Sequence, residues 1–415
     1  MDLNMLESLA QLQAEHLALP WEFQGKSGYR LTPQTAPDVA RMLQWAQDSQ
    51  CLVAIDYLDA CRMPAPLWLD LCGMKQVRQY PEEDFIIEVE TGMSFGELEK
   101  GLAKNWQALP LSYPPETLIA DVLAEDRPAL ETGLRGTFRD YVLKTEIATP
   151  DGQLTISGAD VVKNVTGYDL AKLYVGGRHA FGIVTSVTLK LMALPKARWH
   201  WIFPVNSLQA GCALSEKLLN ANLPLSVCEI YQSEAGWQVF IEFCGDDWLM
   251  ADTQTLLEQW TERWGESQNH EPPHRLEATE GLALRTQLQQ WSTEVTHMEV
   301  ALPLSQWTPF AVLTSKQSSL NQMRLQIRPA AGLVYISAPQ FPSGALRYLQ
   351  TEAQALEGFA QILQISPTDA ATLSEAEAVL ASFNLPDDPN VRRLLNALKK
   401  GYDPDRILHT PRLPL

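Results

Sequence analysis

One stretch of this chain gathers most of the residue types that could do ligand chemistry: 161–191, VVKNVTGYDLAKLYVGGRHAFGIVTSVTLKL. Lys163-Asn164-Val165-Thr166-Gly167-Tyr168-Asp169 reads as a polar turn with one glycine. Leu170–Tyr174 is expected to begin a short helix with Asp169 as its N-cap. After Gly176 and Gly177, the run 181–191 alternates. Ile183, Val187, Leu189 and Leu191 fall on one face, and Val184, Ser186, Thr188 and Lys190 on the other, the pattern of a half-buried strand. A turn, a helix start and a glycine bend bring backbone N–H groups close to whatever lies against them, because glycine has no side chain to hold a ligand off. The same residues also suit a structural corner with no ligand. Other constellations fail on spacing. His270 and His274 stand four apart, but Pro272 and Pro273 prevent the helix that would aim both at a metal. There is no G-x-S-x-G, P-loop or G-x-G-x-x-G. The pairs Glu82-Glu83 and Asp246-Asp247 sit in turn-like surroundings.

These residues need a scaffold, and 415 residues with 46% hydrophobic and 20% charged content can supply two or three ordinary globular domains. A net charge of −18 argues against nucleic acid and against anionic lipid as partners. No apolar run reaches the roughly 18–20 residues of a membrane span. Residues 1–20 carry Asp2 and Glu7 and no basic leader, so an amphipathic helix and a cytoplasmic location are expected. The six cysteines are scattered, without a C-x-x-C pair, which leaves no zinc or iron–sulfur signature and no metal site. They read as buried, reduced thiols.

Read in order, the first hundred residues alternate strand and helix: loop or edge strand over 20–30, helix 36–49, strand 51–55, an irregular segment 56–66, strands 67–71 and 85–90, and a helix to Leu102. Residues 110–140 form a long, proline-interrupted connection. Thr149-Pro150-Asp151-Gly152 between apolar runs signals a hairpin. The composition shifts at Leu194-Pro195. Beyond it, strands near 199–204, 226–231, 237–243, 297–302 and 332–337, with helices at 207–220, 248–264 and 343–356, suggest an antiparallel sheet with helices on one face. Most of the dense tryptophans there are expected in the core. A basic helix from Asn390, with Arg392, Arg393, Lys399 and Lys400, reads as a solvated helix with its cations near the C-terminal dipole.

Three ordered motifs resemble one family. They are KNVTGYDL followed by GIVTSVTLKL and Pro195, then GTFRDYVL at 136–143, and LKKGYDPDRIL in the tail. Together they look like the FAD-binding PCMH-type flavoproteins (vanillyl-alcohol oxidase/p-cresol methylhydroxylase), and are most similar to the E-subunit (GlcE) branch of the glycolate oxidases. The likeness covers about 30–195 and 391–415; residues between match only in position and length. It implies an α+β fold: a two-subdomain FAD-binding domain over 21–195 after the 1–20 helix, a cap domain with an antiparallel sheet over 196–375, and a segment 376–415 returning to the FAD domain. It implies FAD as cofactor, lined by Thr117, Gly136, Asn164, Gly167, Tyr168, Gly176, Gly177, Gly182, Ile183 and Val184. A small 2-hydroxy acid would be the substrate, and a catalytic flavoprotein subunit and an iron–sulfur subunit the partners. No catalytic acid or base is singled out.

The chain departs from that pattern where the diphosphate should lie. The glycine-rich loop is replaced by 54–62, AIDYLDACR, whose Asp56 and Asp59 would repel it. Ile119-Ala120 replaces a glycine pair, Glu125-Asp126-Arg127-Pro128 a glycine- and arginine-bearing loop, and His179 a glycine. His409-Thr410-Pro411 stands for the terminal asparagine-proline-glycine, and the metal-ligand histidine motif of the catalytic subunits is absent. Two functions follow: an FAD-dependent oxidoreductase subunit of a complex, or a degenerate flavoprotein-fold subunit with a structural or regulatory role and weak or no FAD binding.

Overall fold

The computed structural model describes residues 18–23, 26–55, 67–161, 169–221, 223–267, 272–290, 292, 294–317, 323–342, 344–366, 369 and 389–408. The chain divides into two compact units. One comprises Met1–Arg127, Thr137–Ala193 and Leu385–Leu415, and the other Pro128–Gly136 and Leu194–Asn384.

The first unit holds two sheets. β1 (Ala18–Phe23) and β2 (Lys26–Leu31) form an antiparallel hairpin. Residues 18–20 are therefore strand and not the end of a helix, since their backbone is taken up by pairing with β2; residues 1–17 lie outside the described residues. β3 (Val53–Ala54) and β4 (Leu67–Leu69) extend the hairpin in parallel, in the order β1-β2-β4-β3. Helix α1 (Ala36–Asp48) starts at Thr35, whose side chain and that of Asp38 each accept the other's backbone N–H, a capping box worth about 1 kcal/mol. Val39, Met42, Leu43 and Ala46 recur at helical spacing and pack with Leu31, Leu69, Ala148 and Ile183.

The second sheet runs β5 (Val77–Gln79), β6 (Ile86–Glu90), β10 (Ile183–Lys190), β8 (Val142–Ala148), β9 (Leu154–Gly158), all antiparallel. The Asp-Gly hairpin joins β8 to β9, with Gly152 at φ 77°. Helix α2 (Phe95–Ala103) begins at a second capping box, Ser94 with Glu97. β7 (Gln107–Ala108) pairs with β11 (Met192–Ala193). The long connection 110–140 is not structureless. It contains helix α3 (Ile119–Glu125), whose Ile119, Val122 and Leu123 are fully buried. β10 also departs from expectation, because both of its faces are buried. Its polar side chains are covered by partners: Thr185 Oγ1 donates to Glu146 at 2.6 Å, Ser186 Oγ to Glu88 at 3.1 Å and Thr188 Oγ1 to Asp160 at 2.8 Å. Alternation alone cannot tell water from neighbouring carboxylates. α4 (Ala171–Tyr174) completes this unit's first part, and the helix Pro389–Tyr402 its last.

The second unit is built on one antiparallel sheet: β12 (Ala197–Val205), β13 (Leu225–Ser233), β14 (Gly236–Gly245), β15 (His274–Arg275), β16 (Thr296–Ala301), β17 (Arg324–Arg328), β18 (Leu333–Ala338) and β19 (Phe359–Gln364). Their spatial order is β15-β12-β14-β13-β17-β18-β16-β19. Helices α5 (Leu208–Leu219), α6 (Asp247–Ser267), α8 (Trp307–Lys316) and α9 (Ala345–Ala355) supply Leu218, Leu257, Phe310 and Leu349 to the main core. The mixed fold with an antiparallel sheet is the one expected. Of the tryptophans here, Trp307 is buried and Trp248, in the first turn of α6, is 68% exposed.

A smaller cluster of Leu130, Ile202, Val227, Phe240 and Leu288 adjoins α7 (Ala278–Gln289) and carries buried charge. Arg328 pairs with Glu229, and Arg285 bridges Glu131 and Glu242. Burial alone would raise the Glu242 carboxyl, but Arg285, His200 and Arg198 hold it well below the usual carboxylate range. Each of these charges is buried with a partner, the condition under which buried charge is tolerated.

Candidate functional site

The turn Thr91-Gly92-Met93 after β6 ties β10, at the expected lining residue Val184, to the start of α3. Thr91 Oγ1 donates to the Val184 carbonyl at 2.7 Å and its N–H to Thr185 O at 3.1 Å. The other side of the turn accepts from α3: Ile119 N–H reaches Met93 O at 3.0 Å and Ala120 N–H reaches Thr91 O at 2.8 Å. Ile119, Ala120 and Val184 thus sit around one turn, and Thr117 O accepts from Phe95 N–H at 3.0 Å just beyond it.

The glycine bend is joined to the other end of α3. Gly176 N–H donates to Leu123 O at 2.8 Å and Arg178 N–H to Ala124 O at 2.9 Å. Gly176, at φ 77°, is exposed, and a Cβ there would meet only Asp126 Cβ at 3.4 Å. Gly182, at φ 145°, is the opposite case: a Cβ would strike Ile147 at 2.6 Å, so protein atoms require that glycine. Ile183 and Val184 are buried, and Ile183 and Ala120 belong to the apolar cluster around α1. Gly177 is half-buried. Gly136 lies in the segment grouped with the second unit. Asn164, Gly167 and Tyr168 lie outside the described residues, as do Asp56 and Asp59. Asp169 does not cap α4; Leu170 holds the cap position with no side-chain bond, and Asp169 uses its backbone carbonyl to accept from Lys172 N–H.

Three residues without glycine's freedom take left-handed backbone here: Asp126 (φ 46°), Arg178 (φ 48°) and His179 (φ 59°). The two bends facing each other therefore keep a shape that glycine adopts freely while carrying charged or ring side chains. His179 is buried, which pushes its imidazole down to about 4. Burial raises the Asp126 carboxyl, partly offset by the Arg139 N–H at 3.2 Å. Glu125 accepts from Arg127 Nη2 at 2.8 Å and pairs with Arg178 at 3.5 Å.

The tail reaches the same bend. Lys399 Nζ donates to Ala180 O at 2.9 Å, to Leu408 O at 3.0 Å and to Asp403 at 2.6 Å. Asp403 accepts from Ile407 N–H at 2.9 Å and Leu408 N–H at 3.0 Å, and Val53 N–H donates to Ile407 O at 2.7 Å. The expectation that this lysine is solvated is wrong. Its side chain is 6% exposed, because the helix turns it inward onto three oxygens. Burial lowers its pKa, and Asp403 opposes that shift. The sequence signal was available: lysine followed by aspartate four residues on, within the retained KKGYDPDRIL.

A dinucleotide's diphosphate needs free donors, usually N–H groups at a helix start. At α3 the N–H groups of Ile119, Ala120 and Asp121 all have protein acceptors, as do those of Gly176, Gly177 and Arg178 in the bend. Two carboxylates, Glu125 and Asp126, stand at the other end of α3. The corner as described does not fit a diphosphate. The remaining stretches expected at the cofactor, 56–66 and 162–168, lie outside the described residues.

Residues 29–158 match the family described as FAD binding domain. The glycolate oxidase subunit GlcE of Escherichia coli (strain K12) is 30% identical over 132 residues, covering 31% of this chain and 38% of that protein. A D-lactate dehydrogenase of Anaerostipes hadrus is 26% identical over 171 residues, covering 40% of this chain and 35% of that protein. The alignments therefore span well under half the length of these relatives. Among solved structures, p-cresol methylhydroxylase with substrate bound superimposes with a TM-score of 0.71 at 13% identity, covering 99% of this chain and 97% of that one. This chain carries a FAD binding domain match over residues 29–158 and has the fold of p-cresol methylhydroxylase.

Proposed function

We propose that this chain is an FAD-binding oxidoreductase subunit of the glycolate oxidase (GlcE-like) kind, acting on a small 2-hydroxy acid within a complex. The observation that carries this reading is the FAD binding domain match over 29–158, lying almost wholly in the first unit. Bound FAD would supply two-electron acceptance. The chain's own part is to hold and exclude water. The Lys399–Asp403 clasp fixes the bend at Ala180 against β3, and the Thr91 turn fixes α3 against β10. The proposed lining is Thr117, Gly136, Asn164, Gly167, Tyr168, Gly176, Gly177, Gly182, Ile183 and Val184. The start of α3, whose N–H groups have protein acceptors, would not hold the diphosphate. A catalytic flavoprotein subunit and an iron–sulfur subunit are the proposed partners. Free thiols at Cys212, Cys228 and Cys244 suit the cytoplasm. Among the described residues no helix is long and apolar enough to cross a membrane.

A second reading, a flavoprotein-fold subunit without its own flavin, draws support from the occupied N–H groups and the two acids of the α3 corner. Flavin released by denaturing the purified chain separates the two. Near-unit FAD, with glycolate- or D-lactate-dependent dye reduction by the assembled complex, supports the first. A colourless protein that gains no thermal stability from excess FAD sinks it, since a ligand of the native state must stabilise that state.

A further inference from the structure

Two turns of the first unit carry large aromatic side chains on backbone that glycine would hold with less strain. The short 3-10 turn Glu82–Asp84, between β5 and β6, ends at Phe85 with φ 54°, and the end of helix α2 is followed by Trp106, also with φ 54°. A bulky residue is rare in that region, and a helix end that needs it usually has glycine or asparagine. Neither ring is spent on the core: Phe85 is 39% and Trp106 73% exposed. The fold instead holds the turns that bear them. Gln107, buried beside Trp106, donates through Nε2 to the Glu82 carbonyl at 2.7 Å and accepts from Tyr80 Oη at 3.0 Å. The Phe85 carbonyl accepts from Leu191 N–H at 2.8 Å, and β7, which starts at Gln107, pairs with β11 just after Leu191. Both aromatics therefore stand on turns clamped to each other by one buried amide. Strained backbone kept under exposed rings points to a use outside the folded chain.

Charge says what kind of partner fits. Across the two turns, 80–85 and 103–107, three exposed carboxylates, Glu82, Glu83 and Asp84, stand against one cation, Lys104. Aromatic side chains at the centre with charge at the rim are the composition of a protein–protein contact. A carboxylate rim selects cations by ion pairing, and an indole face does so by cation–π attraction. A second copy of this chain would bring the same three acids and another net −18, so like charge opposes it. We propose that Phe85 and Trp106 form the centre of a docking surface for a different protein, one presenting an apolar patch bordered by arginine or lysine. This rests on the proposed function only in naming that protein as another subunit of the complex; the surface does not depend on bound flavin.

The test puts the photocrosslinking residue p-benzoylphenylalanine in place of Trp106 in the full chain, inside the organism that makes it. Illumination should join the chain to one polypeptide of different sequence, at a peptide that mass spectrometry places beside arginine or lysine. Affinity of that purified polypeptide is then measured for the parent chain and for Trp106→Gly. Glycine suits the left-handed backbone, so this variant should melt no lower than the parent yet bind at least about tenfold more weakly. Phe85→Gly carries the same expectation independently, should the first variant fail to fold. Glu82→Gln combined with Glu83→Gln should also weaken binding and flatten its dependence on salt. No crosslink, or crosslinks only within the chain, to a second copy or to many polypeptides alike, would overturn the proposal. Equal affinity of the parent and a folded glycine variant would do the same. A partner that is neither a flavoprotein nor an iron–sulfur subunit leaves the surface standing and removes the subunit assignment, while the chain's FAD content decides the flavin reading separately.

Discussion

Replacing Lys399 by methionine tests the packing argument most directly. Methionine keeps most of the stem but removes the ammonium that Ala180 O, Leu408 O and Asp403 share. Breaking a buried ion pair from one side costs about 3–5 kcal/mol. Asp403 keeps two N–H donors, from Ile407 and Leu408, which moderates the loss. The two orphaned carbonyls add to it, so about 3–4 kcal/mol is expected. That is a large share of the roughly 5–15 kcal/mol that holds a typical domain folded. The loss should appear in urea unfolding and be local in hydrogen exchange. The Val53 amide, bonded to Ile407 O, should lose protection, while amides of β13 and β14 keep theirs. A change below about 1 kcal/mol, with Val53 still protected, would refute the reasoning.

Acid should weaken the first unit through His179. Its folded value of about 4 lies below the ordinary 6.5, so between these values the unfolded chain binds a proton that the folded chain refuses. Its contribution is complete above about pH 6.5 and falls as pH drops toward 4, by roughly 3 kcal/mol. His179→Asn, which tolerates left-handed backbone, should flatten the stability–pH slope over that window; an unchanged slope would assign the titration elsewhere. In the second unit, Arg285→Met strands Glu131 and Glu242 in the interior and should cost about 3–5 kcal/mol in urea unfolding. A loss under about 1 kcal/mol would show that His200 and Arg198 suffice for Glu242.

Elements with strong local signals were legible in the sequence. Helix α1 has a capping box and a four-residue apolar repeat, and the β8–β9 hairpin has Asp-Gly at its turn. Helix α3 was missed because Pro114, Pro115 and Pro128 frame it and its seven residues are too few to show a period. The burial of both faces of β10 was illegible because Glu88, Glu146 and Asp160, which cover its hydroxyls, come from distant positions. At the site, the substitutions at 119–120 and 125–128 were visible as departures from a pattern. That Glu125 would be claimed by Arg178, more than fifty residues on, required the fold.

The pairing of Val53 with Ile407 and Leu408 bears on how the protein is made. A ribosome delivers β3 long before its partner at Ile407 and Leu408, with the eight-stranded sheet in between. At about 5–20 residues per second the delay is tens of seconds. During that interval the second unit can fold, while the edge of β3 waits for Leu408 and Ala180 O for the lysine ammonium. The first unit is thus completed only after the second has emerged, and nascent chains stalled before residue 399 should hold a folded insert inside an unfinished host.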